Sequence, residues 1–188
     1  MRAIENKDKT DKKRQRNQVI VGLLLIGLML LSTAGYAAFN TSGTTTQTFK
    51  YNNLKFENVN GYWQTKINDV SYSFLYKPTE VNKRELILNP LNFYSNKNLY
   101  ITADNFDAEQ EINRNLYNLV SGVREACLKG ENCSNSDLPI KTCDDNFIII
   151  KEGTEGIKQE KSCVFITGKY ENLVTLTDEF LYKLLGII

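Results

Sequence analysis

The residues best suited to covalent chemistry in this 188-residue chain are four cysteines, Cys127, Cys133, Cys143 and Cys163, spaced C-x5-C-x9-C-x19-C. The chain has no histidine. That removes Ser-His-Asp and Cys-His catalysis and most catalytic zinc sites together. Four-cysteine zinc sites are usually built from paired CxxC knuckles, and no CxxC motif of either the zinc or the redox kind occurs. An even count of cysteines confined to the last third of the chain points instead to disulfides formed in an oxidising compartment. Four cysteines allow three pairings. Cys143 and Cys163 lie ten residues either side of Gly153, so a hairpin turning there would set them face to face. Cys127 and Cys133 would then close a small loop, and the other pairings stay open.

The remaining reactive groups are carboxylates. Asp144 and Asp145 are adjacent at an expected strand start, where neighbouring side chains point to opposite faces. Asp104 and Asp107 suit a strand end and a helix cap. Asp178 and Glu179 fall off the apolar stripe of the last helix, which assigns them to a solvated face. There is no glycine-rich phosphate loop. No catalytic, cofactor-binding or metal-ligating residue is expected from these patterns, and no small-molecule substrate is evident.

The elements that must carry these residues begin with an asymmetric N-terminus. Residues 1–18 hold seven Lys or Arg against three acidic residues, which leaves the rest of a chain of net charge +1 mildly acidic. A folded part without a basic field is a poor match for nucleic acid. Residues 19–39, VIVGLLLIGLMLLSTAGYAAF, follow directly. As a helix rising about 1.5 Å per residue they would span about 31 Å, close to the ~30 Å hydrocarbon core of a bilayer. Lys50 is the only basic residue in the fifteen that follow. The positive-inside rule then gives a single-pass transmembrane helix with a cytoplasmic N-terminus and an extracytoplasmic C-terminal domain. The rival is a signal peptide cleaved near Ala37, after the small-residue pattern Gly35-Tyr36-Ala37. A pilin-type leader fits less well, because no acidic residue stands in the first turns of the apolar run. All three readings put the folded part on the same side.

Residues 40–47 read as a short polar linker, and residues 48–188 as one extracytoplasmic α+β domain. Two triplets, Asn40-Thr41-Ser42 and Asn132-Cys133-Ser134, match the glycosylation sequon, a pattern that arises often by chance. Asn60-Gly61 and Asn68-Asp69 are hairpin signals, because a type I′ turn needs positive φ at both central residues. The two turns pair Asn58 with Trp63 and Trp63 with Phe74. Both registers put Leu54, Phe56, Trp63, Ile67, Val70, Tyr72 and Phe74 on one face, which defines an antiparallel β-meander. A β-α-β-β-α portion follows. Its strands are expected at 99–102, 146–151 and 162–168, with a return strand from Ile157. Its first helix is expected from a cap at Asp107 through a stripe of Ile112, Leu116, Leu119, Val120, Val123 and Cys127 to Gly130. The closing helix carries Leu173, Leu176, Phe180, Leu181, Leu184 and Leu185, and stops at Gly186.

The segments NQVIVGLLLIGLMLLSTAGYAAF, NVNGYWQTKINDVSYSFLYKP, SCVFITG and TDEFLYKLLGI resemble uncharacterised single-pass membrane-anchored proteins of archaea. The resemblance implies an archaeal envelope protein and carries over no site residues. The expected function is a membrane-anchored extracytoplasmic module that binds a protein or envelope component. The lipid bilayer itself is contacted through residues 19–39. The alternative is an anchored extracytoplasmic enzyme using carboxylate chemistry.

Overall fold

The structure, a computed structural model, describes residues 7–40, 47–131, 133 and 137–188, with side chains of 14–32 within the first stretch. Most of the expected linker and of both glycosylation triplets falls outside these residues. The chain forms two compact units, 1–45 and 46–188. Among the described residues the first consists of one helix, α1 (Lys7–Asn40), whose segment Arg14–Ser32 is long and apolar enough to cross a membrane. The basic residues from Lys7 onward thus continue the same helix as the apolar stretch.

The second unit opens with four antiparallel strands in sequence order: β1 (Thr48–Tyr51), β2 (Leu54–Val59), β3 (Tyr62–Ile67) and β4 (Val70–Phe74). The expected registers hold, with Asn58 opposite Trp63 and Trp63 opposite Phe74. Asn60 and Gly61 sit at φ 53° and 87°, and Asn68 and Asp69 at 49° and 64°, as type I′ loops require. The sequence reading stopped one strand short. Asn52 and Asn53, at φ 45° and 62°, make a third loop of this kind and pair β1 with β2.

The second sheet has the order β10-β11-β9-β5-β6, where β5 is Asn98–Ala103, β6 Gly122–Glu125, β9 Phe147–Glu152, β10 Gly156–Glu160 and β11 Cys163–Gly168. Its four strands from β11 to β6 are parallel, and β10 joins β11 as an antiparallel edge. Between β6 and β9 a short parallel pair forms from β7 (Cys127–Leu128) and β8 (Ile140–Lys141). Helix α2 (Phe106–Leu116) connects β5 to β6, and α3 (Leu173–Leu184) closes the chain.

Helix α2 starts at an Asn105 cap, whose Oδ1 accepts the Ala108 N–H at 3.0 Å, not at Asp107. It also ends at Leu116 and does not run on to Cys127. Beyond that point Val120, Ser121, Gly122 and Val123 are weak helix formers, and pairing with β5 captures 122–125 as strand. Leu119, Val120 and Val123 still pack on the core, so their apolar stripe was real but not helical. Gly130 follows β7 and ends no helix, although its φ of 92° marks a turn. Finally, β9 does not form a hairpin with β10 around Gly153. Strand β11 lies between them and runs parallel to β9.

Helices α2 and α3 pack on each other between the sheets, α2 against β4 and β5, α3 against β9, β10 and β11. One core cluster joins the meander side chains Phe56, Trp63, Tyr72 and Phe74 to the sheet residues Leu99, Ile101, Ile148, Ile150, Val164 and Ile166. Ten of the twelve residues of α3 are buried, as a helix enclosed on nearly every side must be. The far face of the mixed sheet holds a smaller cluster of Tyr100, Ala126, Phe147, Ile149 and Cys163.

Candidate functional site

Both cysteine pairs are bridged. Cys127 is joined to Cys133 and Cys143 to Cys163, with Cα–Cα separations of 5.9 and 4.8 Å. The second pair meets for a reason other than a hairpin. Cys143 stands just before β9, and its carbonyl accepts the Ser162 N–H at 3.0 Å beside the start of β11. The bridge therefore ties together the amino ends of two parallel strands.

Near that end lies an open cleft of about 420 Å³, lined by Phe93, Lys97, Asn98, Tyr100, Asp144, Asp145, Asn146 and Ser162. Asp144 pairs with Lys161 at 2.9 Å, and Asp145 with Lys141 at 3.6 Å. The two adjacent carboxylates thus turn to different partners, and the lysine beside Asp144 lowers its pKa. They do not converge on one point. Asp104 is also engaged, because its Oδ2 accepts the Glu152 N–H at 2.9 Å.

The carboxylates that do converge are elsewhere, and one of them was assigned to solvent by the sequence. Asp178 and Glu179 are 0% and 1% exposed, not on a wet face. Helix α3 is covered on both sides, so its polar stripe faces protein and must find protein partners. Glu179 takes the Arg84 N–H at 3.1 Å and the Arg84 guanidinium at 2.6 Å. Arg84 reaches on to Glu155. Asp178 Oδ2 accepts the Tyr76 N–H at 2.8 Å, and the Tyr182 hydroxyl donates to the Tyr76 carbonyl.

From α2, Glu111 and Asn115 enter the same interface. Asn115 accepts the Ser73 N–H and donates to the Ser73 carbonyl, both at 2.8 Å. Glu111, 2% exposed, holds Arg114 at 2.6 Å and comes near enough to Asp178 for each acid to act on the charge of the other. Burial raises the pKa of both acids, and the Glu111 charge pushes Asp178 further, well above the usual carboxylate range. Perturbed, converging carboxylates are a mark of acid–base sites. This pair, however, is closed off from solvent, Glu111 at 2% and Asp178 at 0% exposed. Asp178 holds the backbone of Tyr76, and its neighbour Asn115 that of Ser73.

Glu111 and Asn115 were not singled out in the sequence, although a signal existed. They share the buried stripe of α2 with Ala108, Ile112 and Leu116, so two polar residues occupy core positions of a short amphipathic helix.

The accessible feature lies at the carboxyl ends of the parallel strands, where open sheets of this kind bind ligands. Chain order reverses at β5, which has β6 on one side and β9 on the other. Directly after β5, Asn105 caps α2 and also donates to the Tyr170 carbonyl at 3.3 Å, drawing the start of α2 to the loop after β11. This sets Phe106, the first residue of α2, and Tyr170, in the turn after β11, both exposed, on adjoining segments. Glu155, in the turn before β10, accepts from Asn172 of the segment after β11 at 3.2 Å and pairs with Arg84 from the segment between β4 and β5.

No known protein family, curated protein or solved structure matches the chain, and the archaeal resemblance gains no support from them.

Proposed function

We propose that this chain is a single-pass membrane protein whose domain, outside the cytoplasm, binds a protein or another envelope component through the rim that carries Phe106 and Tyr170. Its location is supported by an apolar helix of membrane-spanning length, by the excess of positive charge before that helix, and by the two disulfides of the domain. The binding reading rests on one observation. Two large aromatic side chains, one opening α2 and one in the turn after β11, are left in solvent on segments that Asn105 ties together, while the converging carboxylates are sealed inside. Aromatic residues held on rigid elements are the usual anchors of protein interfaces. The test is photocrosslinking in intact cells with a benzophenone amino acid at position 106 or 170 of the full chain, and at Lys66 as a control on the meander. The reading expects a discrete adduct from 106 and 170 that is lost in the Phe106→Ser, Tyr170→Ser pair of substitutions with the probe moved to Asn172. Adducts of equal yield at all positions, or none at the rim, would count against it.

A further inference from the structure

Two oxygens in the buried cluster have no donor: Glu111 Oε2 and Asp178 Oδ1. They belong to side chains on two helices that pack on each other, and each acid acts on the charge of the other. The companion oxygen of each group is occupied, Glu111 Oε1 by Arg114 and Asp178 Oδ2 by the Tyr76 N–H. Two ionised carboxylates cannot share such a site without strong repulsion. One proton makes the two orphan oxygens donor and acceptor of a single charge-assisted O–H···O bond. Arg114 keeps Glu111 ionised, so the proton resides on Asp178.

We propose that this proton is a latch: Asp178 Oδ1–H donates to Glu111 Oε2, fixing residues 73–76 to both helices, and loss of the proton loosens that attachment. The groups facing the pair agree with this. From α2 come Arg114, itself stacked at 4.1 Å on Tyr62 of β3, and at longer range Asp107. From α3 comes the Tyr182 hydroxyl, which already donates to Tyr76, with Glu80 acting on it from the segment after β4. That segment also supplies the Tyr76 and Leu75 N–H groups. Arg114 is the cation turned to the pair, and it is committed to Glu111.

The sign follows from linkage. A carboxyl whose pKa is raised on folding contributes stability that is complete below its unfolded value, about pH 4, and is lost as pH rises through the folded value. Glu109 and Glu179 are also raised by burial, so the latch is read as a difference between variants.

The experiment compares the full chain in detergent micelles with Asp178→Asn, whose amide donates permanently to Glu111 while its carbonyl still accepts the Tyr76 N–H. The melting temperature of the wild type should fall more steeply than that of Asp178→Asn as pH rises above about 4. At alkaline pH the Tyr76 amide should exchange at least about tenfold faster in the wild type than in the variant at equal pH, and equally fast at acid pH. Infrared spectra at neutral pH should show a protonated carboxyl that disappears in Asp178→Asn. Glu111→Gln serves if that variant fails to fold: it removes the Glu111 charge and offers Asp178 an amide donor, so the excess slope should shrink although burial still raises the Asp178 pKa. Parallel melting curves for wild type and either variant, or no protonated carboxyl in the wild type, would overturn the latch.

Discussion

Tyr182 donates its hydroxyl to the carbonyl of Tyr76 at 2.5 Å, and Asp178, one turn earlier on the same helix, accepts the Tyr76 N–H at 2.8 Å. Both backbone polar groups of one residue are thus received by a single helix. The meander is fastened to the rest of the domain at such points as well as by its aromatic face. The same helix takes the Arg84 backbone through Glu179, and α2 takes both groups of Ser73 through Asn115.

Tyr182→Phe removes one donor and leaves a partly buried carbonyl unpaired, at a cost of about 1–2 kcal/mol. Ring packing against Phe74, at 4.2 Å between centroids, is kept, so the slope of denaturant unfolding should not change. A midpoint equal to that of the wild type would mean that this bond contributes nothing.

Asn115→Ala should cost more, about 2–3 kcal/mol, because it strips partners from both the N–H and the carbonyl of Ser73. Strand β4 is an edge of its sheet, and Asn115 occupies the place where a further strand would pair. Asn115→Asp keeps the acceptor and, when protonated, one O–H donor in place of the amide, so chemical denaturation at acid pH should rank it between Ala and wild type.

A double-mutant cycle between Arg84→Met and Glu179→Gln should return a coupling of about 1–2 kcal/mol. Glu179 is buried, but Arg84 is partly solvated, so the full value of a sealed ion pair does not apply. Simple additivity in thermal melts would remove this pair from the account.

The two disulfides should differ in weight. On the loop-entropy model, replacing Cys143 and Cys163 by Ser costs about 3 kcal/mol, and replacing Cys127 and Cys133 less, since the separations are 20 and 6 residues. Guanidinium midpoints of the two double variants give the order directly, and the reverse order would contradict it.

What the sequence could and could not reveal follows from which forces were local. The hairpins at Asn60-Gly61 and Asn68-Asp69 are specified by turn residues and alternation, both within reach of a short window, and their registers were readable. The Asn52-Asn53 loop carries the same signal in a weaker dipeptide, which a short window does not separate from an ordinary polar pair. Strand β6 was hidden inside an apparent helical stripe, because only pairing with β5, distant in sequence, decides its conformation. The placement of β11 between β9 and β10 is likewise a long-range outcome, which is why the hairpin argument for Cys143 and Cys163 failed although the two residues do meet. Asp178 and Glu179 were misassigned since an amphipathic reading presumes one wet face. That fails for a helix packed between two sheets.

The account as a whole depends on which side of the membrane the domain occupies. The direct measurement is labelling of intact cells with a membrane-impermeant maleimide, using single added cysteines at Ile87, 96% exposed in the domain, and at Arg14, at the start of the apolar span. The account predicts that Ile87→Cys is labelled in intact cells, that Arg14→Cys is labelled only after permeabilisation, and that both report a protein of full length. Labelling of Arg14→Cys from outside, or of Ile87→Cys only in permeabilised cells, would contradict it.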